Sequence, residues 1–461
     1  MDIQPGTQAL IIGLGAAGLS TVRYLTAMGV RVKVSDQRKI DQIEPATIDL
    51  LRSAGIALET GGHSLDQLTG MDVVIPGPGV PLDVPVLQAA RKQGLPVLGE
   101  LALAAGRFSS PVIAITGSNG KTTVTGLLGH LLQAAGKHPF VGGNIGTPLL
   151  DYFAAPEAYD VVVLELSSFQ LDLAGAFRPD TALLLNISPD HLDRHGSLAA
   201  YRSAKMRIFA NQIQGDTAIL GADDPVVAHA CICSGVNRYM FGRDPVCAAR
   251  IVDDNILLRL EQNGNSRQEE YRLSRTNLFS SVNQLNAAAA LLAAAVHGCR
   301  YEDLARGLAT FIPPPHRMAE VAVIDDVRFI NDSKATNIGA LAAALNSCPA
   351  PVVLIAGGRD KASDFTLLKE TVARRVKRLI LIGEAADAME AALGSAVGTE
   401  RAKTMEDAVR RAKAVAGSGD IVLLAPGCAS FDMFSGYAER GTVYEQHVLR
   451  LSRECGVNVC G

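Results

Sequence analysis

At 461 residues the chain is longer than one ordinary hydrophobic core serves, so two or three domains are expected. A composition that is 48% hydrophobic and 20% charged excludes a disordered chain. A net charge of -4, with cations interspersed among acids, excludes a general nucleic-acid footprint.

The longest apolar run, "AAAALLAAAV" at residues 287–296, is too short to cross a bilayer, so no membrane insertion is expected. "MDIQPG" offers no basic n-region before an apolar stretch, and no signal peptide is expected. Eight scattered cysteines without a C-x-x-C pair read as small apolar core residues in a reducing compartment. A cytoplasmic, monomeric chain is expected.

Residues 1–99 alternate strand and helix. "ALIIGLG" is a strand running into glycine, "AAGLSTVRYLTAMG" a helix, and "VRVKVSD" a second strand ending at Asp36. "DVVIPGPGV" is a further strand, and "GLPVLGE" closes the unit. This order builds a parallel sheet. Gly13, Gly15 and Gly18 form a G-x-G-x-x-G loop between strand and helix, with Leu14 and Ala16 inside it. Such a loop lets backbone N–H groups approach a diphosphate at the helix start. Taken alone, this unit implies an NAD-dependent oxidoreductase.

Residues 100–315 form a second unit opening with "PVIAITGSNGKTTVTGLLGHLLQAAG", a strand, a glycine loop and a helix. Gly120, Lys121 and Thr122 end a Walker A pattern, but its first glycine is replaced by Ile115. The loop N–H groups would surround a β-phosphate, Lys121 would reach the β- and γ-oxygens, and the Thr122 hydroxyl would ligate Mg²⁺. "DVVVLELSSFQ" and "TALLLNIS" are buried strands by their apolar runs, and an alanine-rich helix covers residues 286–296. "FIPPPHR" cannot continue a helix and marks a linker. Residues 316–461 supply strands "VRFIND", "APVVLIAGG", "RLILIG" and "GDIVLLAPG" with helices between them. The fold class is therefore α/β in three domains. A Rossmann-like amino-terminal domain, a central P-loop ATPase-like domain with a mainly parallel sheet, and a carboxy-terminal Rossmann-like domain are expected.

"TGSNGKTT" resembles the shortened ATP loop of the Mur ligases and their relative folylpolyglutamate synthase, T-G-x-N-G-K-[ST]. The resemblance runs along the whole chain: "NIG" at residues 144–146, "ELSSFQL" at 165–171, "SPDHLDRHG" at 188–196 and "YRSAKMRIF" at 201–209 stand in family order. So do "NQLNAAAA" from Asn283, "HR" at 316–317, "NDSKATN" at 331–337 and "APGCASFDMF" at 425–434. "NDSKATN" is similar to the branch that adds D-glutamate to UDP-N-acetylmuramoyl-L-alanine. Branches adding L-alanine, diaminopimelate or lysine carry histidine-bearing sequences there, and folylpolyglutamate synthase lacks the first unit.

The resemblance implies an ATP-dependent amide ligase of peptidoglycan precursor synthesis working through an acyl phosphate. The first loop would then hold uridine diphosphate rather than NAD, through Gly13, Leu14, Gly15, Ala16, Gly18, Asp36, Gln37, Arg38 and Gly79. Asn144, Ser167 and Gln170 would complete the UDP-substrate site. ATP would meet Thr116, Gly117, Ser118, Asn119, Gly120, Lys121, Thr122 and Thr123, with Asn283 and Asn286 at the base and Arg317 and Asp332 at phosphate and ribose. Thr122 and Glu165 would hold one Mg²⁺. His191 and Lys205, the latter as a carbamate, would serve a second. Lys121, Glu165, His191 and Lys205 are the catalytic set, and Lys334, Thr336, Lys361, Ser430 and Tyr437 the D-glutamate pocket. "GGRDK" departs from the family, which often has Gly-Gly-Asp, and places the charge of Arg359 near Lys361. From the residues alone, another amino-acid-adding Mur ligase, an NAD-dependent oxidoreductase with an ATPase unit, and a non-catalytic nucleotide-binding module stay open.

Overall fold

The computed structural model describes residues 3–262, 265–274, 276–278, 280–360 and 363–455, arranged around three β-sheets. The first is parallel, in the order Ala57–Thr60, Arg31–Asp36, Gln8–Ile12, Val73–Pro76. Leu10, Ile11 and Ile12 are fully buried because both faces of the sheet are covered. The strand order reverses at Gln8–Ile12, so a crevice opens at its carboxyl end, where residues 13–15 lead into helix Ala16–Ala27. Two features lie beyond the sequence expectation. Ala57–Thr60 is a strand without an apolar run, because it sits half-exposed at the sheet edge. "GLPVLGE" closes the unit through a single bridge, Val97 to Val74.

The central sheet has nine strands, six of them in the order Asn237–Gly242, Thr217–Gly221, Thr181–Leu184, Val112–Thr116, Val161–Glu165, Pro139–Gly143, all parallel. Ala249–Val252 adds in parallel to Asn237–Gly242, and Asn255–Gln262 and Asn265–Arg272 extend the edge antiparallel. Charged residues on these outer strands hid them from a search for apolar runs. Helices Lys121–Ala134 and Ser281–Val296 lie against each other in one buried cluster. Alanine is the commonest residue of the second helix, and its short side chain lets the two backbones approach closely.

The third sheet runs Ala319–Ile324, Val327–Asn331, Ile421–Leu424, Val352–Gly357, Val376–Ile382, Thr399–Arg401. Only its first pair is antiparallel. Both edge strands, Ala319–Ile324 and Thr399–Arg401, escaped the sequence reading because their residues alternate in exposure or are largely polar. The proline linker is irregular, as expected, between helix Tyr301–Thr310 and Ala319–Ile324. Among the described residues no helix is long and apolar enough to cross a membrane. Of the described cysteines, Cys247, Cys299, Cys348 and Cys428 are buried, whereas Cys231, Cys233 and Cys455 are exposed.

Candidate active site

Strand Val112–Thr116 passes through residues 117–120 into helix Lys121–Ala134. Ile115 is fully buried inside that strand, so the position of the absent glycine belongs to the sheet rather than to the loop. Gly120, at φ 87°, is the N-cap, and a Cβ there would lie 2.4 Å from Asn286 Oδ1. No side chain caps this helix, which leaves its first N–H groups for an anion. Reciprocal bonds hold the loop: Asn119 N donates to Asn186 Oδ1 at 2.8 Å, and Asn186 Nδ2 donates to Asn119 O at 3.0 Å. Lys121 Nζ arches over it, donating to the carbonyls of Gly117 at 2.7 Å and Ser118 at 2.9 Å.

A cavity of about 330 Å³ opens above the loop, between the central and third sheets. Ser118 through Thr123, Glu165, His191, Asn283 and Asn286 line it from one side. Arg317, Asp332, Lys334, Thr336, Ser430 and Tyr437 line it from the other. Thr116 and Gly117 lie beneath this lining, in the strand end and the loop. Lys361 lies outside the described residues.

Glu165 ends strand Val161–Glu165 with 2% of its surface exposed. Its Oε1 accepts from Asn144 Nδ2 at 2.9 Å, while Oε2 has no hydrogen-bond partner. An orphaned, buried carboxylate oxygen facing a phosphate loop is costly unless a cation completes it. Glu165 and the Thr122 hydroxyl, on the same cavity lining, are thus residues that could hold a Mg²⁺. Among the described residues no cluster of three or more His, Cys, Asp or Glu is placed to hold a metal ion.

His191 has a left-handed backbone (φ 53°) and caps the short helix Leu192–His195. Its N–H donates to Asp190 Oδ1 at 2.9 Å, and its ring meets Phe169 edge-on with 5.0 Å between centroids. Lys205, on helix Leu198–Met206, is buried, with only 1% of it exposed. Its Nζ donates to Gly117 O at 2.8 Å, the same carbonyl that Lys121 uses, and lies 4.7 Å from the Tyr201 ring centroid. Desolvation, followed by the nearby charge of Lys121, pushes its ammonium pKa well below the usual lysine range.

Across the cleft, His316 is buried against Gly441 of the last helix and shares Asn331 and Glu445 as partners. That anchor leaves the next residue, Arg317, turned into the cavity beside Asp332. Desolvation pushes the Asp332 carboxyl up to about 7, with the Arg317 charge and the Met318 amide pulling the other way. Lys334 Nζ stands 3.7 Å from the Tyr437 ring centroid. Beneath this pocket lies Arg440, 1% exposed, donating to the Ser333 hydroxyl and the carbonyls of Ser333, Cys428 and Ala429. Arg359 is directed elsewhere: its guanidinium meets Glu384 at 3.1 Å on the surface, so the departure in "GGRDK" leaves this charge outside the pocket.

The residues expected on the UDP side divide in two. Gly13 has φ 94°, and a Cβ on Gly18 would lie 2.0 Å from Gly13 O, so both glycines are needed for the close turn. Gly15 caps helix Ala16–Ala27 without a side-chain bond, leaving N–H groups exposed to the crevice. Asp36 Oδ2 accepts the Leu14 amide at 2.7 Å, and Oδ1 accepts the Arg38 amide and Nε. Burial pushes the Asp36 carboxyl up, but the Arg38 side chain and these two amides outweigh it and hold the pKa at about 2. Gln37 is exposed, and the Gly79 carbonyl accepts from Arg194 of the central unit at 3.2 Å. Ser167 and Gln170 form the capping box of helix Ser168–Asp172, and Gln170 Nε2 reaches buried Glu100 at 2.6 Å. Asn144 stands apart from them, on the cavity rim against Glu165.

Sequence reasoning also missed Asp190, Asn337 and Arg440. The first two lie inside quoted motifs, but nothing local marks them as lining the cavity. Arg440 has no signal beyond its charge.

Family models match in the same order as the three sheets. The Mur ligase MurD-like N-terminal domain covers residues 7–99, the Mur ligase middle domain 115–294, and the Mur ligase glutamate ligase domain 316–428. The chain belongs to the Mur ligase family. This Mur ligase is 45% identical over 449 residues to the UDP-N-acetylmuramoylalanine–D-glutamate ligase of Desulfotalea psychrophila, covering 97% of each chain. The enzyme of that name from Acidobacterium capsulatum is 42% identical over 446 residues, 96% of each chain. Among solved structures, a pseudomurein peptide ligase type C from Methanothermus fervidus has a TM-score of 0.61 at 20% identity, covering 97% of this Mur ligase and 100% of that chain. MurF ligase from Thermotoga maritima, solved with ADP, gives a TM-score of 0.58 at 17% identity, covering 97% and 96%. At these identities the two structures speak for the fold.

Proposed function

We propose that this Mur ligase joins D-glutamate to the L-alanine carboxylate of UDP-N-acetylmuramoyl-L-alanine, with cleavage of ATP to ADP and phosphate, in cytoplasmic peptidoglycan precursor synthesis. Residues 1–99 are taken as the UDP-substrate domain, 100–315 as the ATP domain and 316–461 as the amino-acid domain. The observation that carries the reading is the shared cavity. A phosphate loop with an uncapped helix and an orphaned Glu165 oxygen face Lys334, Thr336 and Ser430 across one cleft.

The γ-phosphoryl group passes to the substrate carboxylate, giving an acyl phosphate and ADP. The D-glutamate amine then forms the C–N bond, phosphate leaves, and the amine loses a proton. Loop N–H groups and Lys121 hold the phosphates in line, while Lys334, Thr336 and Ser430 provide a cation and hydroxyls for the two carboxylates of the incoming amino acid. Enclosure between two domains limits the loss of the acyl phosphate to water. Mg²⁺, when bound at Thr122 and Glu165 and at a second position served by His191 and Lys205, supplies positive charge that offsets repulsion between phosphate and carboxylate.

Lys205 takes part as a carbamate in this reading. Support comes from its burial and from the second lysine on the same carbonyl, both of which favour a neutral amine able to react with CO₂. The first unit holds a UDP-sugar rather than NAD. What supports this choice is the phosphate loop with its uncapped helix and the orphaned Glu165 oxygen in the unit that follows, which a dehydrogenase would not need. Phosphate release from ATP should require UDP-N-acetylmuramoyl-L-alanine and D-glutamate together. Release with L-lysine at an equal rate, or tight NAD binding without UDP-substrate binding, would refute the reading.

A further inference from the structure

Asn337 and Gly339 lie outside every ligand set named above, yet both span the cleft. Asn337 is the N-cap of helix Ile338–Ser347, its Oδ1 accepting the Ala340 amide at 2.8 Å. The other end of the same side chain crosses to the central unit. Its Nδ2 donates to Asn119 Oδ1 at 3.1 Å, in the phosphate loop, and to Asp190 Oδ2 at 3.0 Å, next to His191.

Two residues on, Gly339 packs against Ser188. A Cβ at Gly339 would stand 2.3 Å from Ser188 Oγ and 2.6 Å from Ser188 Cβ, closer than side-chain atoms tolerate. Ser188 has little room to yield. Its N–H donates to Ser118 Oγ at 2.9 Å, its carbonyl accepts from that hydroxyl at 3.0 Å, and its Oγ accepts from Asn119 at 3.2 Å. The contact thus ties one helix start to both the phosphate loop and the His191 loop, and it exists only while the two domains are together.

We propose that Asn337 and Gly339 form a closure latch. Docking of the amino-acid domain aligns Asn119 and Asp190 through the Asn337 amide, and the missing side chain at Gly339 lets the helix approach near enough for that bond. They are positioning residues, acting through the loops that hold the phosphates and His191. The proposal rests on the ligase reading above. Inside a helix alanine is favoured over glycine, so the latch predicts a variant that folds as well or better and yet turns over badly.

The test compares wild type, Gly339→Ala and Asn337→Asp by phosphate release, thermal melting and small-angle scattering. Scattering is recorded with and without a non-hydrolysable ATP analogue plus the UDP-sugar. Gly339→Ala should melt no lower than wild type and keep its KM for the UDP-sugar within a factor of about three. Its kcat should fall about 100-fold, the scale of an ångström-level misplacement, and the ligand-induced contraction of the wild type should be lost. Asn337→Asp keeps the capping oxygen but turns a carboxylate toward Asp190, so it should lose kcat and contraction alike without losing the helix. Wild-type kcat and contraction in both variants would overturn the latch. So would a loss confined to the KM for ATP with contraction intact. A wild-type enzyme that releases no phosphate with both substrates would instead sink the ligase reading, while its contraction would still report on the latch.

Discussion

Replacing Asn144 with alanine separates two roles for one side chain. The sequence motif assigns Asn144 to the UDP-substrate, whereas in the fold its Nδ2 donates to Glu165 Oε1 at 2.9 Å. The backbone bond from Asn144 N to Glu165 O, at 2.8 Å, survives in alanine, so the lesion is confined to the side chain. A hydrogen bond to a charged group contributes roughly 1.5–3 kcal/mol. Asn144 is exposed on the rim, which favours the lower end, and about 1.4 kcal/mol corresponds to a tenfold change. Partners of metal-holding carboxylates are typically worth about 10–100-fold in metal affinity. Asn144→Ala should therefore need about tenfold more Mg²⁺ for half-maximal phosphate release, with little change in the KM for the UDP-sugar. Titrating Mg²⁺ at saturating substrates, and then the UDP-sugar at saturating Mg²⁺, measures both. An unchanged Mg²⁺ requirement with a raised UDP-sugar KM would refute the structural assignment and favour the motif's.

Lys205→Ala should lose most activity while ATP still binds at residues 116–123. A short carboxylic acid in solution should restore part of the rate where an amine does not, because only an anion can help hold the second cation; rescue by the amine alone would rule out the carbamate. Asp36, held at about 2, is a depressed carboxyl, so its stabilising contribution is present above the unfolded value of about 3.9 and fades as pH falls through about 2. The difference is worth about 2.6 kcal/mol at most, less screening at the partly exposed Arg38. Asp36→Asn should thus destabilise the first domain at pH 7 but scarcely at pH 2, and an equal loss at both pH values in chemical denaturation would contradict this. Gly18→Ala forces a Cβ against Gly13 O and should abolish UDP-sugar binding in calorimetry while leaving ATP binding intact.

Much of the molecule was legible before any coordinates. Apolar runs such as "ALIIG", "VIAIT" and "VVLIAG" announce strands buried on both faces, because such segments gain most by leaving water. Glycines followed by helix patterns mark phosphate turns, where only a residue without Cβ fits the backbone. Eight motifs in register identify the family and a set of chemical residue types. Edge strands stayed hidden, since half-exposed segments carry no continuous hydrophobic signal.

Burial and mutual approach belong to tertiary structure alone. "YRSAKMRIF" is compatible with a solvated Lys205, and only the packing of its helix behind the phosphate loop takes the amine out of water. Sequence puts Asp36 at a strand end, and only the fold brings the Leu14 amide and the Arg38 side chain onto its carboxylate. Asn144 stands 21 residues before Glu165 and Asn337 218 residues after Asn119, yet each pair is in hydrogen-bond contact. Local sequence sets which groups a segment offers and which backbone angles it tolerates. Which offered groups meet, and whether water remains between them, is decided by the docking of one domain on another.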